Sequence, residues 1–166
     1  MKRGLAKKLA SEGGLAGVAG KHFENVDGSG DAFNGSHGIM SSITGEYNAL
    51  GKLVVDVQQE RPDFDDPDAM KVAMESRKRW SAFLDEATGY NAKQRGDKAK
   101  EFAKKASKAK SGISQARHFM GMATNLSDEV KAQAEEYIST IEALLEAGDN
   151  TKAESTAKKL STLLES

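Results

Sequence analysis

The sequence predicts an all-α protein, an antiparallel bundle of four to five helices preceded by a glycine-rich, basic N-terminal arm. Three observations predict it. Apolar residues recur at every third or fourth position from Ser36 onward, the period of one face of a helix. The two prolines both fall in one short segment, so little else interrupts helices. There is no cysteine, which leaves side-chain packing, not disulfides or thiolate metal sites, to build the core. A chain of 166 residues and 17.8 kDa has room for one compact domain with appendages. The expected division is therefore an arm over residues 1–35 and a helical bundle over residues 36–166.

Eight glycines crowd the first 35 residues, a density that regular structure seldom tolerates, although Leu5 and Leu9 stand one turn apart and allow a short helix over residues 2–10. From Ser36, read as an N-cap, Ile39, Ile43, Tyr47, Leu50, Val54 and Val57 follow at spacings of 4, 4, 3, 4 and 3 and predict a first long helix to about Glu60. Gly45 and Gly51 inside it imply close approach of another backbone. Arg61 to Pro67 is a break, with Asp66 as cap and Pro67 at the first position of a second helix. That helix buries Met70, Ala73, Met74, Trp80, Phe83, Leu84 and Ala87 and stops at Gly89. The third carries a heptad seam of Ala99, Phe102, Ala106, Ala109, Ile113, Ala116, Met120 and Ala123, with Gly112 as a candidate kink. Ser127 caps the fourth, and Gly148-Asp149-Asn150 turns the chain into the fifth, whose buried face is Ala153, Ala157, Leu160 and Leu164.

Net charge is −1, but it is segregated: +4 over residues 1–21, −8 over 22–70, +1 over 71–92, +7 over 93–125 and −5 over 126–166. Blocks of alternating sign either pair within the fold or face different partners.

Motifs that carry chemistry fail on their spacing. Gly14 to His22 invites a phosphate-loop reading, but the first required glycine is Leu15 and His22 follows Lys21 in place of Ser or Thr. Asp27-Gly28-Ser29-Gly30-Asp31 begins like a calcium loop, yet the sixth position is Ala32 and the twelfth is Gly38. Asp63, Asp65, Asp66 and Asp68 read as a hydrated, helix-capping turn before a cation site. No acid stands three residues before His22, His37 or His118, as a di-iron or di-manganese bundle requires. No catalytic, cofactor or metal residue is assigned, and no small-molecule site is evident.

The expected function is a non-enzymatic interaction or assembly protein, self-associating or docking to other subunits through the seam. The alternative is a nucleic-acid or other polyanion binder, such as a nucleoid-associated or virion structural protein. It would use Lys2, Arg3, Lys7 and Lys8 of the arm with Lys98, Lys104, Lys105 and Lys108 of the third helix. No apolar run is long enough to span a membrane, and Ser11, Glu12, Gly13 and Gly14 interrupt the hydrophobic stretch a secretory signal needs. The expected setting is cytoplasmic or otherwise intracellular, or within a virion.

Overall fold

The computed structural model describes residues 1–165 and overturns the all-α expectation. It contains a four-stranded antiparallel sheet of order β1-β2-β3-β4, with β1 Glu24–Ser29, β2 Ala32–His37, β3 Met40–Tyr47 and β4 Leu53–Gln59. Six helices accompany it: α1 Leu5–Ala10, α2 Gly14–His22, α3 Pro67–Thr88, α4 Ala92–Met122, α5 Asp128–Glu146 and α6 Asn150–Glu165. The chain divides into two compact units, Met1–Arg95 and a second from Gly96 onward. Each has its own hydrophobic core.

The predicted long helix from Ser36 to Glu60 is two strands and a turn. Its apolar residues fit a period of 3.6, but Ile43, Gly45 and Tyr47 also alternate with Thr44 and Glu46. Likewise Leu53, Val55 and Val57 alternate with Val54 and Asp56, and the less exposed set of each strand faces the core. Five β-branched residues among these positions favour the pleated alternative, where χ1 restriction costs less than in a helix. Gly51, at φ 67°, is the turn that a continuous helix could not contain. Beside it the Asn48 side chain accepts from the N–H groups of Leu50 and Lys52, closing an Asx-type turn between β3 and β4. Ser36 lies inside β2 and caps nothing.

The glycine-rich arm is also corrected: residues 1–35 hold α1, α2, β1 and the start of β2. The glycines serve close packing. A Cβ on Gly17 would stand 2.1 Å from the Glu12 carbonyl oxygen, and one on Gly14 would stand 2.5 Å from that of Gly30. The Ala16 N–H donates to the same Gly30 oxygen at 3.1 Å, tying α2 to the β1–β2 turn.

Helices α2 and α3 pack on one face of the sheet. Their contact is aromatic, with the Phe83 ring centroid 4.9 Å from Phe23, 5.4 Å from Phe33 and 5.6 Å from Trp80. Leu9, Leu15, Val18, Met40, Ile43 and Ala87 complete this core. The predicted boundaries of α3 agree with the structure. Asp66 caps by accepting from the Asp68 N–H, Pro67 occupies the first turn and Gly89 closes the helix at φ 73°. One core assignment does not: Met74 is 66% exposed, and Ser76 is buried in its place. The Ser76 hydroxyl accepts from the Ile39 N–H and donates to the Val72 carbonyl, so a polar side chain is satisfied at the sheet–helix boundary.

Tyr47 anchors the end of β3 by donating its hydroxyl to the Ala87 carbonyl on α3. Burial, and then the nearby charge of Asp31, push the phenol up to about 12. Because the folded value lies above that of the unfolded chain, near about 10, the neutral phenol contributes fully below that pH. Its contribution is lost as pH rises towards about 12. Urea unfolding midpoints should therefore fall between about pH 9 and pH 11.5 in the wild type. The fall should be smaller in Tyr47→Phe, and an equal fall in both would exclude Tyr47 as its source.

In the second unit, α4, α5 and α6 form an up-down-up three-helix bundle. Lys108 pairs with Glu154 and Gly112 packs on Ala157, so α4 and α6 advance together. The core is Ala109, Ile113 and Ala116 from α4, Ala134, Ile138 and Ile141 from α5, and Ala153, Ala157, Leu160 and Leu164 from α6. α4 runs unbroken through Gly112. A Cβ there would stand 3.0 Å from that of Ala157, so the glycine lets two helices approach. Ser127 caps α5 by accepting from the Val130 N–H, and Gly148 turns the chain at φ 74°.

Candidate interaction surfaces

The face of the sheet away from α2 and α3 is open. Reading across the strands, its rows are Ser29, Ala32, Glu46, Val54 and Asp27, Asn34, Thr44, Asp56. All of these but Asp27 border a shallow concavity of about 490 Å³. The carboxylates of this face, Asp27, Glu46 and Asp56, make no ion pair among the described residues. Val54, with 48% of its surface exposed, is the large apolar side chain on this face.

The two edges of the sheet differ. The β1 edge is irregular, with a bulge between Glu24 and Asp27, Asn25 at φ 50° and Gly28 at φ 143°. The β4 edge is straight: from Leu53 to Gln58 each residue pairs with one of β3, from Tyr47 back to Ser42. No backbone hydrogen bond outside the sheet involves residues 53–59 among the described residues.

A charged cluster joins α2 to α3. The Lys21 ammonium donates to Glu12 at 2.7 Å and to Glu86 at 2.8 Å, and His22 Nε2 donates to the other Glu86 oxygen at 2.7 Å. Its hydrogen bonds to Glu12 and Glu86 raise the Lys21 ammonium above its ordinary value. Burial would raise the Glu86 carboxyl, but its bonds with Lys21 and His22 outweigh that and hold it below the usual carboxylate range. Every strong donor in the cluster is engaged, which suits a strap between helices. On β2, the buried His37 Nδ1 has no hydrogen-bond partner among the described residues, and the Glu24 carboxylate is 4.0 Å away.

The predicted cations fall in three settings. Lys2, Arg3, Lys7 and Lys8 are exposed at and before α1, and the Lys2 N–H donates to the Thr88 carbonyl, holding the segment against the end of α3. Lys98 and Lys105 both pair with Glu101, at 2.8 and 3.1 Å, and Lys108 reaches Glu154 at 3.2 Å. Lys104 is exposed and makes no ion pair among the described residues. At 100° per residue it shares a stripe with Lys93 and Lys100, opposite the helix's buried face.

The heptad seam divides along its length. Ala109, Ile113 and Ala116 are buried and Met120 packs beside them, whereas Phe102 and Ala106 are half-buried and Ala99 is exposed. Bundle partners thus cover the seam's C-terminal half. Beyond it, Phe119 and Met122, 43% and 66% exposed, join Ala116 and Leu164 in an apolar groove of about 260 Å³ between α4 and α6. Sequence reasoning missed both this groove and the β4 edge. The second was signalled by the alternation in Leu53-Val54-Val55-Asp56-Val57, and the first by no motif at all.

No group of three or more histidine, aspartate or glutamate side chains is placed to hold a metal ion among the described residues. No described helix is long and apolar enough to cross a membrane.

The fold defines a class: an antiparallel sheet covered on one face by helices, continuing through a long helix into a separate three-helix bundle. Within it the chain belongs to the family described as a domain of unknown function (DUF5611), whose model matches residues 1–101. The match thus covers the whole sheet-containing unit and the beginning of α4. No curated protein and no solved structure matches the chain.

Proposed function

We propose that this chain is a non-enzymatic interaction and assembly protein that associates with itself or docks to other subunits. The reading rests on the β4 edge, a straight row of backbone donors and acceptors carrying an exposed valine and no proline or bulge over residues 53–57. Soluble proteins ordinarily blunt such an edge with lysine, proline or distortion, as β1 is distorted here, and β4 carries only the single charge of Asp56, so it stays open to another strand. Light scattering or sedimentation at moderate salt should show a mass that rises with concentration. A monomer that persists at high concentration would remove this reading. A cytoplasmic or other intracellular setting, or a virion, goes with it.

The second reading is a polyanion binder. It is favoured by the stripe of Lys93, Lys100 and Lys104, and weakened by the pairing of Lys105 and Lys108 with acids of the same chain. Duplex DNA or RNA should then bind at low salt and dissociate steeply as salt rises, with a slope of about −0.9 per neutralised phosphate on B-DNA. No binding at low salt eliminates it.

A further inference from the structure

We propose that two copies of the chain join β4 to β4, antiparallel, about a two-fold axis through Val54, making one continuous eight-stranded sheet. The inference rests on the self-association reading above and adds its geometry.

The contrast between the edges selects β4. The bulge and the positive φ angles of Asn25 and Gly28 bend β1 away from the straight row a new strand needs. In β4 the pairing with β3 runs unbroken from Leu53 to Gln58, so its outward row is straight. No lysine, proline or bulge guards residues 53–57.

The side chains then select the occupant and its register. A two-fold perpendicular to the sheet sets outer face beside outer face, and residues directly opposite each other point the same way. The axis must therefore pass through a residue position. Centring it on Asp56 places two carboxylates face to face. Centring it on Val55 places Val54 against Asp56. Centring it on Val54 sets Val54 against its own copy, Leu53 against Val55, and Lys52 against Asp56 at both ends. In that register the exposed valine is covered and the like-sign clash is gone. Asp56, which makes no ion pair within the described residues, gains a cation. Charge and apolar complementarity with itself identify the partner as a second copy, and the symmetric contact closes as a dimer.

The chain has no cysteine, so a single Val54→Cys reports the axis directly. On mild oxidation V54C should form a disulfide-linked dimer, because directly opposed positions bring their Cβ atoms within about 4.5–5.5 Å. D56C, displaced from the axis, should not link to itself. Separately, D56K and K52D should each weaken dimerisation by about tenfold by opposing like charges, and the double swap K52D/D56K should restore it. An oligomer in which V54C stays unlinked, or which D56K leaves unchanged, overturns this pairing while self-association stands. A wild-type protein that is monomeric at every concentration overturns both.

Discussion

Phe83→Ala is expected to cost the N-terminal unit about 3–5 kcal/mol, the range for deleting a fully buried aromatic ring. Phe83 has none of its surface exposed and touches three elements at once: the ring of Phe23 after α2, that of Phe33 on β2 and that of Trp80 one turn back on α3. Those neighbours are held by strands and helices that cannot all collapse into the space, so a cavity term adds to the lost transfer energy. Small domains are stable by only about 5–15 kcal/mol, so the loss takes a large part of what this unit has. Trp80, the one tryptophan of the chain, packs against Phe83 and makes intrinsic fluorescence a probe of this core. Its unfolding transition in F83A should move to much lower denaturant, while the helical circular dichroism of the second unit, whose core contains no residue of the first, persists to higher concentration. A Trp80 transition unmoved by F83A would contradict the aromatic core, and loss of both signals together would contradict the separation of the two cores.

The contrast between the units also explains what the sequence reveals. From Asp66 onward, local signals and tertiary structure agree except at Met74 and in the N-terminal half of the seam, which neighbours do not cover. Asp66 and Ser127 cap, Gly89 and Gly148 terminate, and Ala109, Ile113 and Ala116 recur at 3.6-residue spacing because neighbouring helices cover that face. Before Asp66 the signals conflict. Ile39, Ile43, Tyr47, Leu50, Val54 and Val57 satisfy a helical period by coincidence. The true period of two is masked where Gly45 occupies an inward position in place of an apolar side chain. The glycines of residues 13–17 look like a flexible tether, yet they are the points where α2 meets the β1–β2 turn and the preceding chain, contacts that local spacing cannot disclose. The surface sites were less legible still. The straightness of β4 becomes visible only when its pairing with β3 is known, and the groove beside Phe119 and Met122 depends on where α6 ends. The basic character of α4 was legible as composition, but not which of its lysines meet acids 46 residues away, as Lys108 meets Glu154.

Gly45, the residue that hides the strand, should also be among the least replaceable. It stands directly across from Phe33, and the ring of that side chain lies over it, filling the place of an absent Cβ. A Cβ at Gly45 would come 2.5 Å from Phe33 Cε1 and 3.1 Å from Cζ. The end of a phenylalanine could swing aside on a surface, but Phe33 is 3% exposed and confined by Phe23 and Phe83 at ring distances of 6.2 and 5.4 Å. Gly45→Val, although it raises the intrinsic preference for a strand, is therefore expected to destabilise the unit by about 3 kcal/mol, near the upper end of what overpacking costs. The strain belongs to the pair, so shortening the ring should relieve it. In a Phe33→Leu background the same Gly45→Val change should cost markedly less, and denaturant midpoints of the four proteins in the cycle measure the coupling. Additive costs would mean that Gly45 is required for its backbone alone and that the ring of Phe33 does not depend on it.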